Sequence, residues 1–479
     1  MIDLDTSLLE LDALAQAELV RNKQIHPEEL LEAYLKRFEQ LNPRLNAVIT
    51  PMVDEARQMI REGVPPGPFQ GVPFLLKDSG VAYPGVPLSS GSAMLKRYVP
   101  TYESELVTRY RQAGLVIVGK TNTPEFGLLA TTEPLAFGPT LNPWDETRSA
   151  GGSSGGAAAA VAVGMVPMAH ASDGGGSIRI PAAACGVFGF KPTRGRTPLG
   201  PAVGDVMNGL VSHHAVTRSV RDSAALLDAT AGPAPGDPYW APPVTRPYLQ
   251  ETKRTPGRLR VAFTLRSPFG HPIHEECIKA VQRAANLCQE LGHEVEESMP
   301  DIDYEAYKDA FLTIWKVGCA FSVESLAQAS GCRPAENMIE PLTRALWEAG
   351  KRISGDQYLS AVTVLQRLAR QVAHFFSRYD VWLTPTMAEP PVPLGTFDSS
   401  STDPDKVINR GFHYVPFTPL ANATGQPAMS VPLYWSSSGL PIGTHFIGRF
   451  GDEATLFRLA AQLEQAAPWS NRFPPCLVM

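Results

Sequence analysis

The chain has 479 residues, of which 44% are apolar and 19% are charged, so its length allows about three domains or one large α/β domain. Its 42 lysines and arginines stand against 48 aspartates and glutamates, which gives a formal net charge of −6. This composition excludes a disordered or highly charged chain, and it provides no basic surplus to hold nucleic acid or an anionic membrane.

The N-terminal part of the sequence predicts two antiparallel helices. Apolar residues recur every three or four positions between Leu8 and Leu41, and Pro27 followed by Glu28 and Glu29 is typical of a helix start. The first five residues carry acid where an export signal would have a basic and then an apolar stretch. The six cysteines are scattered, without metal-binding spacing, as is typical of reduced thiols. We therefore expect a cytoplasmic protein.

Short apolar runs alternate with periodic helical segments along the rest of the chain. Two helices are predicted at residues 274–291 and 453–466. Such alternation favours one α/β domain with a central mixed, mostly parallel sheet covered by helices on both faces. The runs that predict strands are residues 71–78, 114–120, 165–171, 187–191, 259–264, 381–385, 428–432 and 442–448.

Composition divides the chain into consecutive regions within this one domain. A Pro-rich polar stretch is predicted to run over the surface, and the polar segment 395–405 is predicted to be a mobile loop beside a pocket. The regions are N-terminal helices at about 1–65, a catalytic core at about 66–230, the surface excursion at about 233–256, a helical cover at about 300–375 and a return to the core at about 376–479.

The segment 149–186 has the most unusual composition of the chain. Its 38 residues include 9 Gly, 11 Ala and 5 Ser, and its only charged residues are Asp173 and Arg179. Two glycine-serine clusters, 151–156 and 172–179, lie within it. A flexible linker is the ordinary interpretation of such residues. It fails here because apolar runs join the two clusters, and the lack of bulk instead allows a ligand to approach the backbone closely.

Two familiar motifs match this sequence by residue type but not by their expected structural context. Residues 114–121 fit the phosphate-binding P-loop pattern, but their middle residues are Leu-Val-Ile-Val, which predict the strand itself and not a loop after it. Residues 151–155 fit the Gly-x-Ser-x-Gly pattern of α/β hydrolases, but the preceding Asn-Pro-Trp-Asp sequence is typical of a loop. A nucleotide-binding module and an α/β hydrolase are therefore weak alternatives.

No histidine stands out as a general base, and His170 is predicted to be a hydrogen-bonded histidine of the core. A serine can be activated by a desolvated lysine instead. Lys77 ends the apolar run Phe-Leu-Leu, where a solvated lysine has little reason to be. By itself it could equally be a structural lysine paired with Asp78 or Asp173.

Ordered motifs along nearly the whole chain resemble the amidase signature family. The resemblance is closest to the branch that contains the 6-aminohexanoate cyclic-dimer (nylon-oligomer) hydrolases, and the 24-residue separation of Ser153 and Ser177 is that of the family. The motifs are Gly-Val-Pro-Phe-Leu-Leu-Lys-Asp at 71–78, Gly-Lys-Thr-Asn-Thr-Pro-Glu-Phe at 119–126, Asn-Pro-Trp at 142–144, Gly-Gly-Ser-Ser-Gly-Gly at 151–156, Asp-Gly-Gly-Gly-Ser-Ile-Arg-Ile-Pro at 173–181 and Gly-Phe-Lys-Pro-Thr-Arg-Gly-Arg at 189–196.

The resemblance implies a Ser-cisSer-Lys triad. Ser177 is then the nucleophile, Ser153 the bridge after a cis peptide bond, and Lys77 the base. A neutral lysine needs a pKa about 3 units below its ordinary value, a difference of roughly 4 kcal/mol that burial can supply.

The resemblance also implies roles for residues around the triad. The backbone N–H groups of residues 174–177 are expected to form the oxyanion hole, with the helix N-terminus adding its positive end. The residues so assigned are Gly174, Gly175, Gly176 and Ser177 for the hole, and Ser154, Asp173 and Arg179 for support of the loop and lysine. The substrate pocket is predicted from position in the chain: Gly127 and Leu128 follow the Thr-Asn-Thr-Pro turn expected to frame its entrance, and Trp315 and Cys319 lie in the predicted helical cover.

The expected function is therefore that of a serine amidase that works through an acyl-enzyme, without a metal or cofactor. Small amides are expected as substrates, and anilides, cyclic or oligomeric synthetic amides, aryl esters and carbamates (a urethanase activity) are plausible. The alternatives are the glutaminase-type component of a tRNA-dependent amidotransferase and a catalytically inactive scaffold. No nucleic-acid or membrane partner is expected, and the chain is expected to be a monomer or homodimer.

Overall fold

The computed structural model describes Leu8 and residues 11–335 and 337–475. Cys476 lies outside the described residues. The helices are numbered in chain order, and both predicted N-terminal helices are present. They are α1 (Ala13–Arg21), α2 (Pro27–Leu45), α3 (Val53–Glu62), α4 (Glu105–Gln112), α5 (Gly155–Ala162), α6 (Arg179–Cys185), α7 (Val220–Thr230), α8 (Tyr248–Glu251), α9 (Glu275–Glu290), α10 (Tyr304–Ser330), α11 (Pro341–Lys351), α12 (Gly355–Arg378), α13 (Pro404–Tyr414), α14 (Thr418–Thr424) and α15 (Glu453–Ala466).

The strands build one large sheet and one small ribbon. The ribbon pairs β4 with β5, and all other strands belong to the sheet. The strands are β1 (Val48–Pro51), β2 (Pro73–Lys77), β3 (Val116–Thr121), β4 (Leu141–Asn142), β5 (Asp145–Ser149), β6 (Met168–Asp173), β7 (Phe188–Lys191), β8 (Ser212–Thr217), β9 (Arg260–Phe263), β10 (Glu294–Glu297), β11 (Val381–Pro385), β12 (Ala428–Trp435) and β13 (Pro441–Gly448).

The large sheet has 11 strands in the order β1-β3-β2-β6-β8-β7-β12-β13-β11-β9-β10. The predicted mixed α/β sheet is confirmed, but parallel pairing is less common in it than predicted. Parallel neighbours occur on the two sides of the sheet, at β3-β2-β6 and β11-β9-β10. The central run β6-β8-β7-β12-β13-β11 pairs antiparallel throughout. The apolar runs could not reveal this, because strands buried on both faces look alike in sequence whatever their direction.

Helices cover both faces of the sheet. Leu75 of β2 packs in one cluster with the alanines of α5, whereas its neighbours Phe74 and Leu76 pack in another with α4. Since successive side chains of a strand point to opposite faces, these two clusters lie on opposite sides of the sheet. The same division separates Val381 and Leu383 of β11 from Trp382. The sheet is therefore the middle layer of three.

Three strands of the sheet were not predicted from the sequence. β8 reads Ser-His-His-Ala-Val-Thr, and β10 reads Glu-Val-Glu-Glu at the edge of the sheet, so neither is an apolar run. The third, β1 (Val48–Pro51), is short, begins soon after the long helix α2 and ends in a proline. The local sequence does not predict these strands, because the neighbouring strands and packing that stabilise them come from distant parts of the chain.

Three helices, α10, α11 and α12, lie in the region predicted as a helical cover. Within the described residues, α10 alone is long and apolar enough to cross a membrane by length and composition. Half of its most apolar window is buried inside the protein, where Phe311, Ile314 and Val323 pack against other parts of the chain. Packing thus accounts for the buried half of this apolar window.

Candidate functional site

Lys77 is the last residue of β2 and its side chain is buried. Its Nζ lies 2.6 Å from Ser153 Oγ and 3.0 Å from Ser172 Oγ. Burial lowers the pKa of Lys77 to about 7, although the negative charge of Asp173 acts in the opposite direction. A lysine with this pKa is neutral for a large part of the time at physiological pH, and a neutral amine can accept a proton from a hydroxyl.

Ser153 is placed by a stretch of backbone that only glycine allows. A Cβ on Gly152 would lie 2.5 Å from the carbonyl oxygen of Thr131, so no larger residue fits there. The peptide bond between Gly152 and Ser153 is cis, as the resemblance implies. Ser154 precedes α5, and its Oγ lies 3.3 Å from the carbonyl oxygen and 3.4 Å from the nitrogen of Ser172. Ser154 thus contacts the backbone of the residue whose hydroxyl meets Lys77.

Ser177 lies just before α6, is buried, and lines a cavity. The Oγ makes no hydrogen bond within the described part of the chain, so the relay from Ser153 to Ser177 is not closed in this state. The backbone N–H groups of Gly174, Gly175 and Ser177 likewise donate to no described residue. Gly176 differs from the prediction because its N–H donates to Asp173 Oδ1 at 2.6 Å. Three of the four predicted oxyanion donors are therefore available.

A buried ion pair holds the loop that carries Ser177. Arg179 donates to both carboxylate oxygens of Asp173 at 2.9 Å, and the carboxylate also accepts the N–H of Ile178. Burial would raise the pKa of Asp173, but the charge and hydrogen bonds of Arg179 outweigh it and hold the pKa well below its usual range. The carboxylate is thus ionised and fixes the loop between β6 and α6.

A cavity of about 590 Å³ opens beside Ser177. Among the described residues that line it, only Ser177 and the indole of Trp315 have a side-chain hydrogen-bonding group, and none is charged. An added Cβ on Gly127, which borders the same cavity, would lie 3.2 Å from Ser153 Oγ, so the cavity reaches the serine pair. The remaining, largely apolar lining is Leu128, Leu129, Ala130, Ile180, Phe311, Leu312, Trp315, Phe397, Val407, Ile408, Phe412, Val415 and Pro419, together with backbone at Gly127, Gly175 and Gly411.

Three of the four residues predicted to form the substrate pocket line this cavity, namely Gly127, Leu128 and Trp315. Cys319 does not. It lies one turn further along α10, is fully buried, and its Sγ is 3.9 Å from the carbonyl oxygen of Thr343. Cys319 therefore packs behind Leu128 in the same apolar cluster and is corrected from a substrate contact to a packing residue.

Four polar residues of the site were not assigned to it from the sequence, although His170 was predicted to be a histidine of the core. Ser172 contacts Lys77, and its position directly before Asp173 in the second glycine-serine cluster was a usable signal. Asn422 donates to Asp173 Oδ1 and accepts from Arg179, while His445 contacts the same guanidinium. These two residues come from α14 and β13, more than 240 residues away along the chain. The backbone N–H of Lys77 donates to the fourth, His170.

The described ranges contain no group of three or more His, Cys, Asp or Glu side chains placed to hold a metal ion. The polar groups around Lys77 and Ser177 are instead hydroxyls, backbone N–H groups and one buried amine. This set can accept a proton from a hydroxyl and can stabilise a developing oxyanion, which are the two needs of acyl transfer to a serine.

Comparison with known proteins gives concordant results. The family model for amidases matches residues 29–457. The 6-aminohexanoate-cyclic-dimer hydrolase of Pseudomonas sp. (strain NK87) is 40% identical over 479 residues, which cover 97% of each chain. A 6-aminohexanoate cyclic dimer hydrolase solved with substrate superimposes with a TM-score of 0.93 at 38% identity, covering 98% of this chain and 99% of the other. A bacterial aryl acylamidase gives a TM-score of 0.86 at 30% identity, covering 96% and 97%.

Proposed function

The chain belongs to the amidase family of amide hydrolases, and from that premise we propose that it cleaves the C–N bond of small uncharged amides through an acyl-enzyme on Ser177. The observation that carries the proposal is the buried amine of Lys77, 2.6 Å from Ser153 Oγ and with a pKa of about 7, together with an apolar cavity that Ser177 lines.

Acylation begins when Ser177 Oγ attacks the carbonyl carbon of the amide. The proton of this hydroxyl passes to Ser153, and Ser153 passes its own proton to the neutral Nζ of Lys77. In the proposed reaction a hydrogen bond between the two serine hydroxyls forms as the substrate binds. The ammonium of Lys77 then returns the proton through Ser153 to the leaving nitrogen, and the C–N bond breaks. Water releases the acid by the same route.

The oxyanion of the tetrahedral intermediate is stabilised by backbone. The N–H groups of Gly174, Gly175 and Ser177 have no acceptor among the described residues and are available to it. The N–H of Gly176 remains with Asp173 and serves to hold the loop. Removing one preorganised donor from such a site costs roughly 3 kcal/mol of transition-state stabilisation, so three donors make a large contribution.

The cavity favours substrates without charge. A free ammonium or carboxylate in it would lose hydration and find no charged partner among the residues that line it. Anilides and cyclic or oligomeric synthetic amides meet this requirement at the scissile end. Carbamates and aryl esters present the same carbonyl to the same nucleophile, so we include urethane cleavage among the proposed activities.

The glutaminase alternative is less well supported by the same cavity. Glutamine carries an α-ammonium and an α-carboxylate, and specific binding needs a partner for each charge. No such partner lines the cavity beside Ser177. A glutaminase would be favoured instead if the purified chain released ammonia from glutamine faster than from an aryl amide.

The proposal extends to location and assembly. The cysteines at 185, 277, 288, 319 and 332 are free thiols, which is typical of a reducing compartment, so we propose the cytoplasm. The chain acts as a monomer or homodimer on a small-molecule substrate.

The proposed chemistry is tested with a substrate panel and three variants. The panel holds an aryl amide, a cyclic amide, a dipeptide amide and an aryl carbamate. We expect Ser177→Ala and Lys77→Ala to lose at least ~10³-fold in kcat/KM on the best substrate. Ser437→Ala, at an exposed serine, serves as the control and keeps wild-type rates. Near wild-type turnover by either of the first two variants contradicts the mechanism.

A further inference from the structure

Two stacked histidines lie beneath the catalytic lysine, and the proposed function gives them no role. His170 of β6 accepts the backbone N–H of Lys77 on Nδ1 at 3.1 Å. Its Nε2 lies 3.0 Å from Nδ1 of His213 on the neighbouring strand β8. Both rings are buried and nearly parallel, with centroids 5.2 Å apart.

The first imidazole replaces a hydrogen bond that the sheet itself would normally supply. The N–H of Asp78 donates to the carbonyl of Thr121 on β3. Since successive N–H groups of a strand point to opposite sides, the N–H of Lys77 points toward β6. It meets there the side chain of His170 and not a backbone carbonyl. The end of β2, from which the Lys77 side chain departs, is therefore held by an imidazole.

The hydrogen bonds fix the tautomer of both rings. A backbone N–H can only donate, so Nδ1 of His170 carries no proton and its Nε2 carries one. That Nε2–H donates to Nδ1 of His213, which leaves the proton of His213 on Nε2. Both rings are therefore neutral, and a proton on Nδ1 of His170 would break its contact with Lys77.

The second imidazole supports the turn that follows β2. An added Cβ on Gly80 would lie 2.7 Å from Cε1 of His213, so this ring packs directly against the Gly80 backbone. His213 thus contacts the chain three residues after Lys77, while His170 contacts Lys77 itself. The pair therefore contacts the chain at the catalytic lysine and again just after it.

The surroundings keep the pair neutral while Lys77 changes charge. The charged and titratable groups that face His170 are Lys77 from β2, Lys120 from β3, His213 and His214 from β8, and Tyr110 from α4. Burial is the largest cause that holds the pKa of His170 well below its usual range, and the nearby amines of Lys77 and Lys120 act in the same direction. Burial and the charge of Lys77 lower the pKa of His213 to about 3.

We propose that His170 and His213 are positioning residues for the lysine base, and that this chain of neutral imidazoles holds the end of β2 so that Nζ of Lys77 meets Ser153 and Ser172. The inference rests on the proposed function, because it concerns the base of that reaction. Neither ring touches the reacting atoms.

The test replaces the acceptor on His170 in two ways. His170→Leu fills the space but removes the acceptor, whereas His170→Asn keeps an oxygen at the position of Nδ1. His214→Leu is the matched control, since His214 is a buried histidine of the same strand as His213 that contacts Ser223 and not Lys77. Each variant is titrated with an aryl fluorophosphonate, so that kcat refers to active sites, and kcat/KM is measured from pH 5 to 10.

We expect His170→Leu to lose ~10- to 100-fold in kcat with little change in KM, as a misplaced base should. We also expect the acidic limb of its pH profile to move to higher pH, because a loosened Lys77 is better hydrated. His170→Asn should recover most of kcat and the limb. His213→Leu, a second variant in case His170→Leu does not fold, should change both quantities in the same direction by less.

The proposal is overturned if His170→Leu and His213→Leu keep the wild-type kcat per titrated site and an unmoved limb. It is also overturned if His170→Asn is as impaired as His170→Leu, or if His214→Leu moves the limb equally. Lys77→Ala, assayed in parallel, distinguishes a failure of the positioning role of the histidines from a failure of the proposed role of Lys77 as base. Full activity in Lys77→Ala would refute the base itself, whatever the histidine variants show.

Discussion

The charge of one buried lysine decides when this site can work. Lys77 has a pKa of about 7 in the folded protein because burial disfavours its ammonium form. The unfolded chain holds that proton up to about pH 10.5, so between these values the unfolded state binds more protons. This group therefore opposes folding at neutral pH, and its contribution to stability improves as pH rises from about 7 to 10.5. A role as catalytic base explains why this lysine is kept in the core although it lowers the stability of the folded protein at neutral pH.

Gly127 is a residue whose replacement should impair the serine relay without removing any catalytic group. It has φ +70°, and an added Cβ would lie 3.2 Å from Ser153 Oγ. We expect Gly127→Ala to lower kcat/KM for all substrates by roughly tenfold or more, because Ser153 must shift. The measurement is steady-state kinetics on an aryl amide.

Gly85→Ala is the control for backbone strain at Gly127. Gly85 has φ +81° but nothing within 4 Å of an added Cβ. Both variants should lose ~1–2 kcal/mol of stability from the left-handed conformation, but Gly85→Ala should keep its kcat/KM. Equal activity in the two variants would show that Gly127 does not act through Ser153.

At the level of elements, α13 forms one wall of the substrate cavity. It presents Val407, Ile408, Gly411 and Phe412 to the cavity, and α10 presents Phe311, Leu312 and Trp315 from another side. The helix is tied down outside the cavity by the ion pair of Lys316 with Asp405, at 2.8 Å, and by Arg410 with Glu389. Changes on the inner face of α13 should therefore alter substrate size selection without moving the triad.

Gly411→Leu tests this role of α13. The nearest atom to an added Cβ there is Cε1 of Phe397 at 4.0 Å, so a Cβ fits without a clash at a position that lines the cavity. We expect KM for a bulky aryl or cyclic amide to rise roughly tenfold or more, while kcat/KM for acetamide changes little. Gly355→Ala, at the start of α12 and with nothing near its added Cβ, is the control. A uniform loss on both substrates would contradict a size effect.

The elements show why the sequence predicted some of the site and not the rest. Lys77, Ser153 and Ser177 could be singled out because the motifs that carry the resemblance to the amidase signature family are short and local, namely an apolar strand end and two glycine-serine clusters. Asn422 and His445 could not, since their contact with Arg179 depends on sheet order. The engagement of the Gly176 N–H by Asp173 was equally hidden, because a run of glycines does not reveal which N–H is occupied.

At the scale of the whole molecule, the three-layer fold is held together by buried polar links as well as by its core. Glu453 at the start of α15 accepts two hydrogen bonds from Arg196, at 2.9 and 3.0 Å, and both side chains are buried. Burial raises the pKa of Glu453, but Arg196 outweighs it and leaves the pKa below its usual value. This pair connects the core region to the C-terminal helix, across 257 residues.

Glu453→Gln should therefore destabilise the protein by roughly 3–5 kcal/mol, because it leaves the Arg196 charge buried without a counter-charge. Glu32→Gln removes one of the two carboxylate partners of Arg57, in a pair with exposed side chains, and should have a much smaller effect on stability. Urea unfolding at pH 7 measures both. Comparable losses in the two variants would contradict the importance assigned to the buried pair.

The overall architecture was the more predictable part of the molecule. The apolar runs at 73–77, 116–121 and 381–385 are strands as predicted, since burial on both faces leaves a continuous apolar signature. Strand direction and the polar strand β8 were not predictable, because they depend on which distant strands become neighbours. The same long-range pairing brings His170, His213 and Lys77 together.

The most direct test of the central claim is the rate at which an aryl fluorophosphonate modifies the protein as a function of pH, with the modified residue identified by peptide mass spectrometry. We expect modification at Ser177 alone, with a rate that rises through a midpoint near pH 7, where Lys77 becomes neutral. The rate should fall at least ~10²-fold in Lys77→Ala. Modification of a different residue, or a rate at Ser177 that is independent of pH and unchanged in Lys77→Ala, would contradict a serine nucleophile activated by a neutral lysine.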